Sequence, residues 1–394
     1  MPSPLEKLVA QKKESIEALM EVFERGAEVL ASAVGELFPL CEAAAPVLRL
    51  ALDNVQSREV FYVKEQFQVV RNKLDVISEE LEDIDQEIKR SLVDSHYFTV
   101  EENLRNQFRK YMDILNAKEQ FREVKVRLFL EHYGKTSGDK NLHVLYDAVM
   151  GFNTFGESVL EVVLRYEARN RRVLEDFCVR LKELFCVGLI ALLGRAALSV
   201  GEEEEQELVR QWGEKMREVE GKMKAAIDEC VAAFPEQAQE DVERMIKEKE
   251  EKSNEELAKA LQEFLARKYD WVKWSVRVIN HSGSGFKNWR AGDNFHCVTG
   301  KNWFELLQVN DTNVVVSYSR CPHPIAKESI QQLMDRPNRK GGAQAVAEAV
   351  AQEIPGCVAN AISRHKEVWT AWSFPDECHY WEKHKNVYLC VHSE

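Results

Sequence analysis

The sequence predicts a mainly α protein, an elongated antiparallel helical bundle over residues 1–265 followed by a smaller α+β domain over 266–394. Three observations lead there. From Val47 to Phe234 there is no proline, while the helix formers Glu, Lys, Leu and Arg abound. Through the same region apolar residues recur at helical spacing. The composition then shifts near Phe264–Tyr269: residues 1–265 carry 37 Lys+Arg against 53 Asp+Glu, a balance of −16, whereas 266–394 carry 16 against 13, a balance of +3, with seven of the ten histidines and seven of the eight tryptophans.

The elements follow in order. Ile16, Leu19, Phe23, Leu30, Val34 and Leu37 mark one face of a first helix over about 4–37, and Pro39 and Pro46 kink the apolar stretch after it. Val63, Phe67, Val70, Leu74, Ile77, Leu81, Ile84 and Ile88 alternate in steps of four and three, the seam of a coiled coil or of a long bundle helix. Thr99 and Glu102 form a capping-box pattern at the head of the next helix, which ends at the glycines of "GKTSGDKN". A short helix covers about 141–150, another runs from Glu157 towards Val187, and a long one covers about 202–232. Pro235 interrupts, and helix resumes to Tyr269. Beyond it, "WVKWSVRVI", "NFHCVTG", "NVVVSYSR", "VWTAWSF" and "NVYLCVH" read as strands, "KESIQQLMDR" and "GGAQAVAEAVAQEIPG" as short helices.

The net charge of −13 over 394 residues argues against a nucleic-acid partner, because phosphate binding needs concentrated positive charge. The start "MPSPLEKLVAQKKE" has no apolar core of a secretory signal, and nine irregularly spaced cysteines suit a reducing compartment. The expected location is cytoplasmic, with membrane association as a variant of it. The sequons at Asn280 and Asn310 then read as chance matches.

Several long irregular strings resemble the rapunzel family of fish proteins: "VEENLRNQFRKYMDI", "NLHVLYDAVMG", "RRVLEDFCVRLKELFCVGLIALLGRAALSVGEEEE" and "QWGEKMREVEGKM". They stand in the family's order between about Gln56 and Cys230 and do not extend to the last 125 residues. The resemblance implies a helical protein, similar in parts to cephalotoxin-like proteins, with no established enzyme activity and no catalytic or ligand residues to carry across. Long helices around a hydrophobic insert are also similar in layout to the cytolysin A-type helical pore-forming toxins.

That insert is Leu184–Val200, followed by Glu202–Glu205. At 1.5 Å per residue it reaches about 25 Å, short of a hydrocarbon core of about 30 Å. Two readings compete. In one, Gly188 and Gly194 let the segment fold back as a hairpin that is released at a membrane, so that Leu184, Phe185, Val187, Leu189, Ile190, Leu192 and Leu193 touch lipid. In the other, the run is a helix buried on all sides, and Ser199 with Glu202 caps the helix that follows.

In the C-terminal domain, Trp271, Trp274, Trp289 and Trp303 are candidates for a partner-binding surface. Cys378, His379, His384, Cys390 and His392 cluster in fifteen residues, yet their spacing matches no zinc finger or knuckle. "NHSGSGFKNWRAGDN" lacks the phosphate-loop pattern and reads as a turn between strands. No catalytic motif, cofactor or metal site is expected. The protein is expected to act by binding, to a lipid membrane, a protein partner or its own copies, or as a cytoplasmic scaffold whose apolar run is plain core.

Overall fold

A computed structural model of the chain describes residues 3–25, 37–74, 81–84, 97–152, 157–247, 253–280, 295–309, 312–335, 342–384 and 386–394. It divides into two compact units, Met1–Ala232 and Ala233–Glu394. The sequence places the boundary near residue 265, where helical composition ends; packing places it after Ala232.

The first unit is helical. Its elements are α1 (Pro4–Arg25), α2 (Phe38–Glu42), α3 (Ala44–Leu52), α4 (Arg58–Leu74), α5 (Tyr97–Asn116), α6 (Glu119–Lys135), α7 (Lys140–Met150), α8 (Val159–Tyr166), α9 (Arg171–Ser199) and α10 (Glu202–Ala232). Ile16, Leu19 and Phe23 of the first predicted face are buried, as is Leu37, while Leu30 and Val34 fall outside the described residues. Of the heptad seam, Val63, Phe67, Val70, Leu74 and Ile84 lie in one core with the other helices of this chain, so these residues have intramolecular partners. Ile77 and Ile88 lie outside the described residues.

Several local expectations need correction, and the helix expected from Thr99 to the glycines of "GKTSGDKN" is the pair α5 and α6. The helix expected from Glu157 to Val187 is two helices, because Ala168 and Arg169 take left-handed backbone conformations (φ 46° and 55°) and the Arg169 amide closes back on the Leu164 carbonyl at 2.8 Å. The capping box at Ser199 and Glu202 does not form. Ser199 ends α9, and its hydroxyl donates to the Arg195 carbonyl one turn back, at 2.7 Å. Capping boxes form instead at Ser158 with Glu161 and at Ser253 with Glu256. Thr99 already lies inside α5.

The second unit opens with α11 (Phe234–Lys247) and α12 (Asn254–Lys268), then β1 (Lys273–Asn280), β2 (His296–Thr299), β3 (Trp303–Val309), β4 (Thr312–Ser319), α13 (Lys327–Asp335), α14 (Ala343–Glu353), β5 (Cys357–Ser363), β6 (Val368–Trp372), β7 (His379–Lys383) and β8 (Val387–Ser393). Pro235 sits in the first turn of α11, where a missing amide costs nothing. The strands form two antiparallel sheets, ordered β3-β4-β1-β6 and β2-β5-β8-β7.

Alternation along the strands sorts the layers. Trp274, Val276 and Val278 of β1, with Val314 and Val316 of β4, pack under Phe234, Val242, Ile246, Leu257, Leu261 and Leu265 of α11 and α12. This shared core assigns both helices to the second unit. Ala359, Ala361, Leu389 and Val391 of the other sheet pack under Ile330, Leu333, Val346 and Val350 of α13 and α14. The remaining faces meet each other through Ile279, Phe295, Val315 and Ile362 and through a group of polar side chains. The order of layers is helices, sheet, sheet, helices.

Candidate functional site

Three places in the molecule could carry a function: the apolar run, the exposed faces of the helical unit, and the polar layer between the two sheets. The apolar run lies in α9, a single 29-residue helix that continues through both glycines. Leu184, Phe185, Val187, Leu189, Ile190, Leu192 and Leu193 are all buried. The fold-back hairpin expected from Gly188 and Gly194 is absent, and the physical reason is packing. A Cβ on Gly188 would stand 2.6 Å from Leu142 Cδ2 and 2.9 Å from Leu104 Cδ2; on Gly194 it would stand 2.4 Å from the Tyr111 ring. The glycines are notches that admit neighbouring side chains, and the Tyr111 hydroxyl reaches on to the Ala44 carbonyl at 2.7 Å. No described helix is long and apolar enough to cross a membrane.

The first turns of α9 differ from the rest. Arg180, Lys182 and Glu183 are buried there. Arg180 pairs with Glu101 and donates to the Leu74 carbonyl at 2.9 Å, and Lys182 stands 3.5 Å from Glu220. Burial, opposed by Arg180 at 3.7 Å, raises the Glu183 carboxyl to about 7.

On the outside, α6 buries only Phe129 and Tyr133. Phe121, Val124 and Leu128 stand one and two turns apart on another face, 53%, 44% and 42% exposed. Arg122 of the same helix bonds Asn54, next to exposed Val55, and Lys125 pairs with Asp113 at 3.2 Å. The charges along the helix are of both signs: Glu119, Glu123 and Glu131 with Arg122, Lys125, Arg127 and Lys135.

In the layer between the sheets, Arg277 of β1 is fully buried. Its Nη1 donates to Ser275 Oγ at 3.0 Å and Ser317 Oγ at 2.9 Å, and stands 3.3 Å from Cys390 Sγ. His392 Nδ1 faces the Ser393 carbonyl at 2.8 Å, so it carries the proton. Its Nε2 therefore accepts from the Ser317 hydroxyl at 2.7 Å. His379 Nε2 lies 3.1 Å from Ser275 Oγ and 3.5 Å from Cys390 Sγ. Burial first, and the Arg277 charge as well, lower both histidines to about 3, so both are neutral at physiological pH. Trp372 stacks on His379 at 4.6 Å and Phe374 on His392 at 4.4 Å.

The sequence cluster at 378–392 is thus split. His379, Cys390 and His392 enter the layer, whereas His384 bonds the Tyr380 hydroxyl at 3.0 Å. No group of three or more metal-ligating side chains occurs among the described residues. The guanidinium 3.3 Å from the Cys390 sulfur adds positive charge where a cation would sit.

The tryptophan candidates also separate. Trp274 is fully buried and Trp271 packs beside it, both against Phe234 and Tyr269. The partner surface expected at Trp274 is corrected to core, because the even positions of β1 face α11 and α12. Trp303 is half-buried and donates to the Gly300 carbonyl at 3.2 Å. Trp289 lies outside the described residues. Sequence reasoning passed over Phe121, Val124 and Leu128, whose spacing was visible, and Arg277, whose partners lie 40 and 113 residues away.

Taken together, the first unit defines a helical bundle protein built around a long central helix with an apolar run. A family model described as the cephalotoxin-like middle helical domain matches residues 54–252. The chain is also 34% identical over 213 residues to Protein rapunzel of Danio rerio, a stretch covering 54% of this chain and 92% of that relative. The chain belongs to the rapunzel family of cephalotoxin-like helical proteins. No solved structure matches it significantly. The family match extends twenty residues past Ala232, through all of α11, and stops short of α12 and the sheets.

Proposed function

We propose that this protein acts by binding rather than by catalysis, its helical unit receiving an amphipathic helix of a protein partner along α6. The observation that carries the reading is the uncovered stripe Phe121, Val124 and Leu128, at the spacing by which one helix docks on another. Charges of both signs beside the stripe suit the polar rim of a protein interface better than a lipid surface, which favours Lys and Arg. The nine cysteines, none of them in a disulfide, support a reducing compartment as the place of action.

A membrane role through Leu184–Val200 has less support. Seven large apolar side chains would have to leave the core, and passage through water on the way to lipid would cost about 1.5–3 kcal/mol each, or roughly 10–20 kcal/mol if all seven are exposed together. That amount approaches the stability of a whole domain.

The test places a photo-crosslinking amino acid at Val124 of the full chain in cells that express it. A discrete protein adduct is expected, lost in a Phe121→Asp, Leu128→Asp variant that retains its helical circular dichroism. The reading fails if the adduct pattern is the same in that variant. Flotation of the purified chain with liposomes, abolished by the same pair of substitutions, would assign the stripe to lipid instead.

A further inference from the structure

The fully buried Arg277 is chemically incomplete. Among the described residues its hydrogen bonds all leave from Nη1, whose two hydrogens serve the two serines with the Cys390 thiol close by, and none of these partners is a carboxylate. Its Nε and Nη2 have no hydrogen-bond partner among the described residues. These two nitrogens are not a random pair. In a guanidinium Nη1 lies on the Cδ side, so Nε and Nη2 form the opposite long edge, whose two parallel N–H bonds match the two oxygens of a carboxylate or phosphate. The chain occupies one end of the guanidinium and leaves the oxyanion-binding edge free.

A second group points the same way. Thr370 of β6 is the direct cross-strand partner of Arg277 and so shares its face of the sheet. Its buried Oγ1 also lacks a hydrogen-bond partner among the described residues. β6 is the edge strand of its sheet, and Trp372, two residues on, is partly exposed. The free edge of Arg277 therefore sits one strand in from the rim.

Charge gives the same answer. A buried guanidinium requires compensation, since taking an ion out of water costs several kcal/mol unless it is paired. His379 and His392 are neutral, and Glu305, which lies in the same cross-strand row beyond Val315, is engaged by His296 at 2.9 Å.

We propose that the layer between the two sheets is a binding site for a small oxyanion, a carboxylate or a phosphate, held bidentately by Arg277 Nε and Nη2 with the Thr370 hydroxyl donating a third hydrogen bond. The ligand enters past β6, and because the fork lies between sheets, its carrier is a slim free molecule rather than a macromolecular surface. Ser275 and Ser317 are positioning residues: by taking Nη1 they fix the plane of the guanidinium, and the Ser317–His392–Ser393 chain fixes Ser317 in turn. This site is independent of the α6 stripe.

The experiment titrates the full chain with inorganic phosphate and, separately, with acetate, by isothermal calorimetry at constant ionic strength set with chloride. Unfolding is followed in parallel by tryptophan fluorescence. Saturable binding of one of the two anions, one per chain, is expected, with a matching rise in the unfolding midpoint. Arg277→Lys keeps the charge and removes the fork, and should weaken binding at least about tenfold. Thr370→Val, at the rim, should weaken it about three- to tenfold. Absence of saturable binding with both anions overturns the proposal, as does an affinity that neither substitution changes. If Arg277→Lys does not fold, Thr370→Val alone decides, and unchanged affinity in it counts against the site.

Discussion

The two units of this protein keep very different interiors. Around Leu184–Leu193 the helical unit packs apolar side chains on every side of α9, and among the described residues the polar contacts near it are those of its N-terminal turns, the Tyr111 hydroxyl and the Cys41 thiol at the Cys186 carbonyl. Between the sheets of the second unit, Arg277, Ser275, Ser317, His379, His392 and Cys390 form a polar layer as fully withdrawn from water. Burial alone therefore says little about what an interior does. The first gains stability from area and close fit. The second must satisfy each donor and charge in turn, and where it does not, at the free edge of Arg277, a ligand is the natural complement.

The largest expected effect breaks the apolar interior outright. Ile190→Asp places an unpaired charge at the centre of α9 and should cost about 3–5 kcal/mol, seen as loss of the helical transition in urea denaturation followed by circular dichroism. A variant as stable as the parent would show that the run is not core in solution.

Acid should then separate the two interiors by sign. His379 and His392 have folded values near 3, below the ordinary 6.5, so the unfolded state binds more protons between those limits. Stability of the second unit is full above pH 6.5 and falls as pH drops towards 3, by several kcal/mol in all. Tryptophan fluorescence reads this, since seven of the eight tryptophans lie there. Glu183 works the other way. Its folded value, about 7, exceeds the ordinary 4.5, so its contribution is best below pH 4.5 and declines as pH rises to 7. Glu183→Gln should remove about 2–3 kcal/mol of that slope from the helical unit, measured as the difference in urea midpoint between pH 5 and pH 8. An unchanged slope would mean that Glu183 is solvated.

Smaller effects sharpen the point about fit. Gly194→Ala should destabilise by about 1–2 kcal/mol, because the strain of a methyl against the Tyr111 ring outweighs the gain in helix propensity. Gly221→Ala, where an added Cβ meets nothing within 4 Å, should stabilise by about 0.5–1 kcal/mol. Thermal midpoints moving in the same direction for both would undo the reading of Gly194 as a notch.

What could be read from the sequence follows the range of the interactions. The long helices, the family resemblance and the core character of the seam residues rest on local periodicity and were visible. The break at Ala168–Arg169 was not, because neither residue is the glycine or asparagine that usually takes a left-handed turn. The unit boundary was hidden because α11 and α12 look like the bundle in composition yet pack on a sheet. The polar layer was hidden for a similar reason. Alternation in "KWSVRVIN" does put Ser275, Arg277 and Ile279 on one face, but such a face normally meets water. Only β7 and β8 of the second sheet, more than a hundred residues later, turn it inward.

The tyrosine in the Gly194 notch also bears on how the helical unit reaches its native state. Tyr111 of α5 joins residue 194 of α9 to residue 44 of α3, so the tie closes only when three distant stretches of chain have met. Contacts of such sequence separation carry the loop-closure entropy of the segments between them, and they slow folding relative to bundles built from neighbouring hairpins. Fragments that end before Gly194, or begin after Ala44, lack a side of this junction. The helical unit is therefore expected to form in one cooperative step that waits for α9 to leave the ribosome.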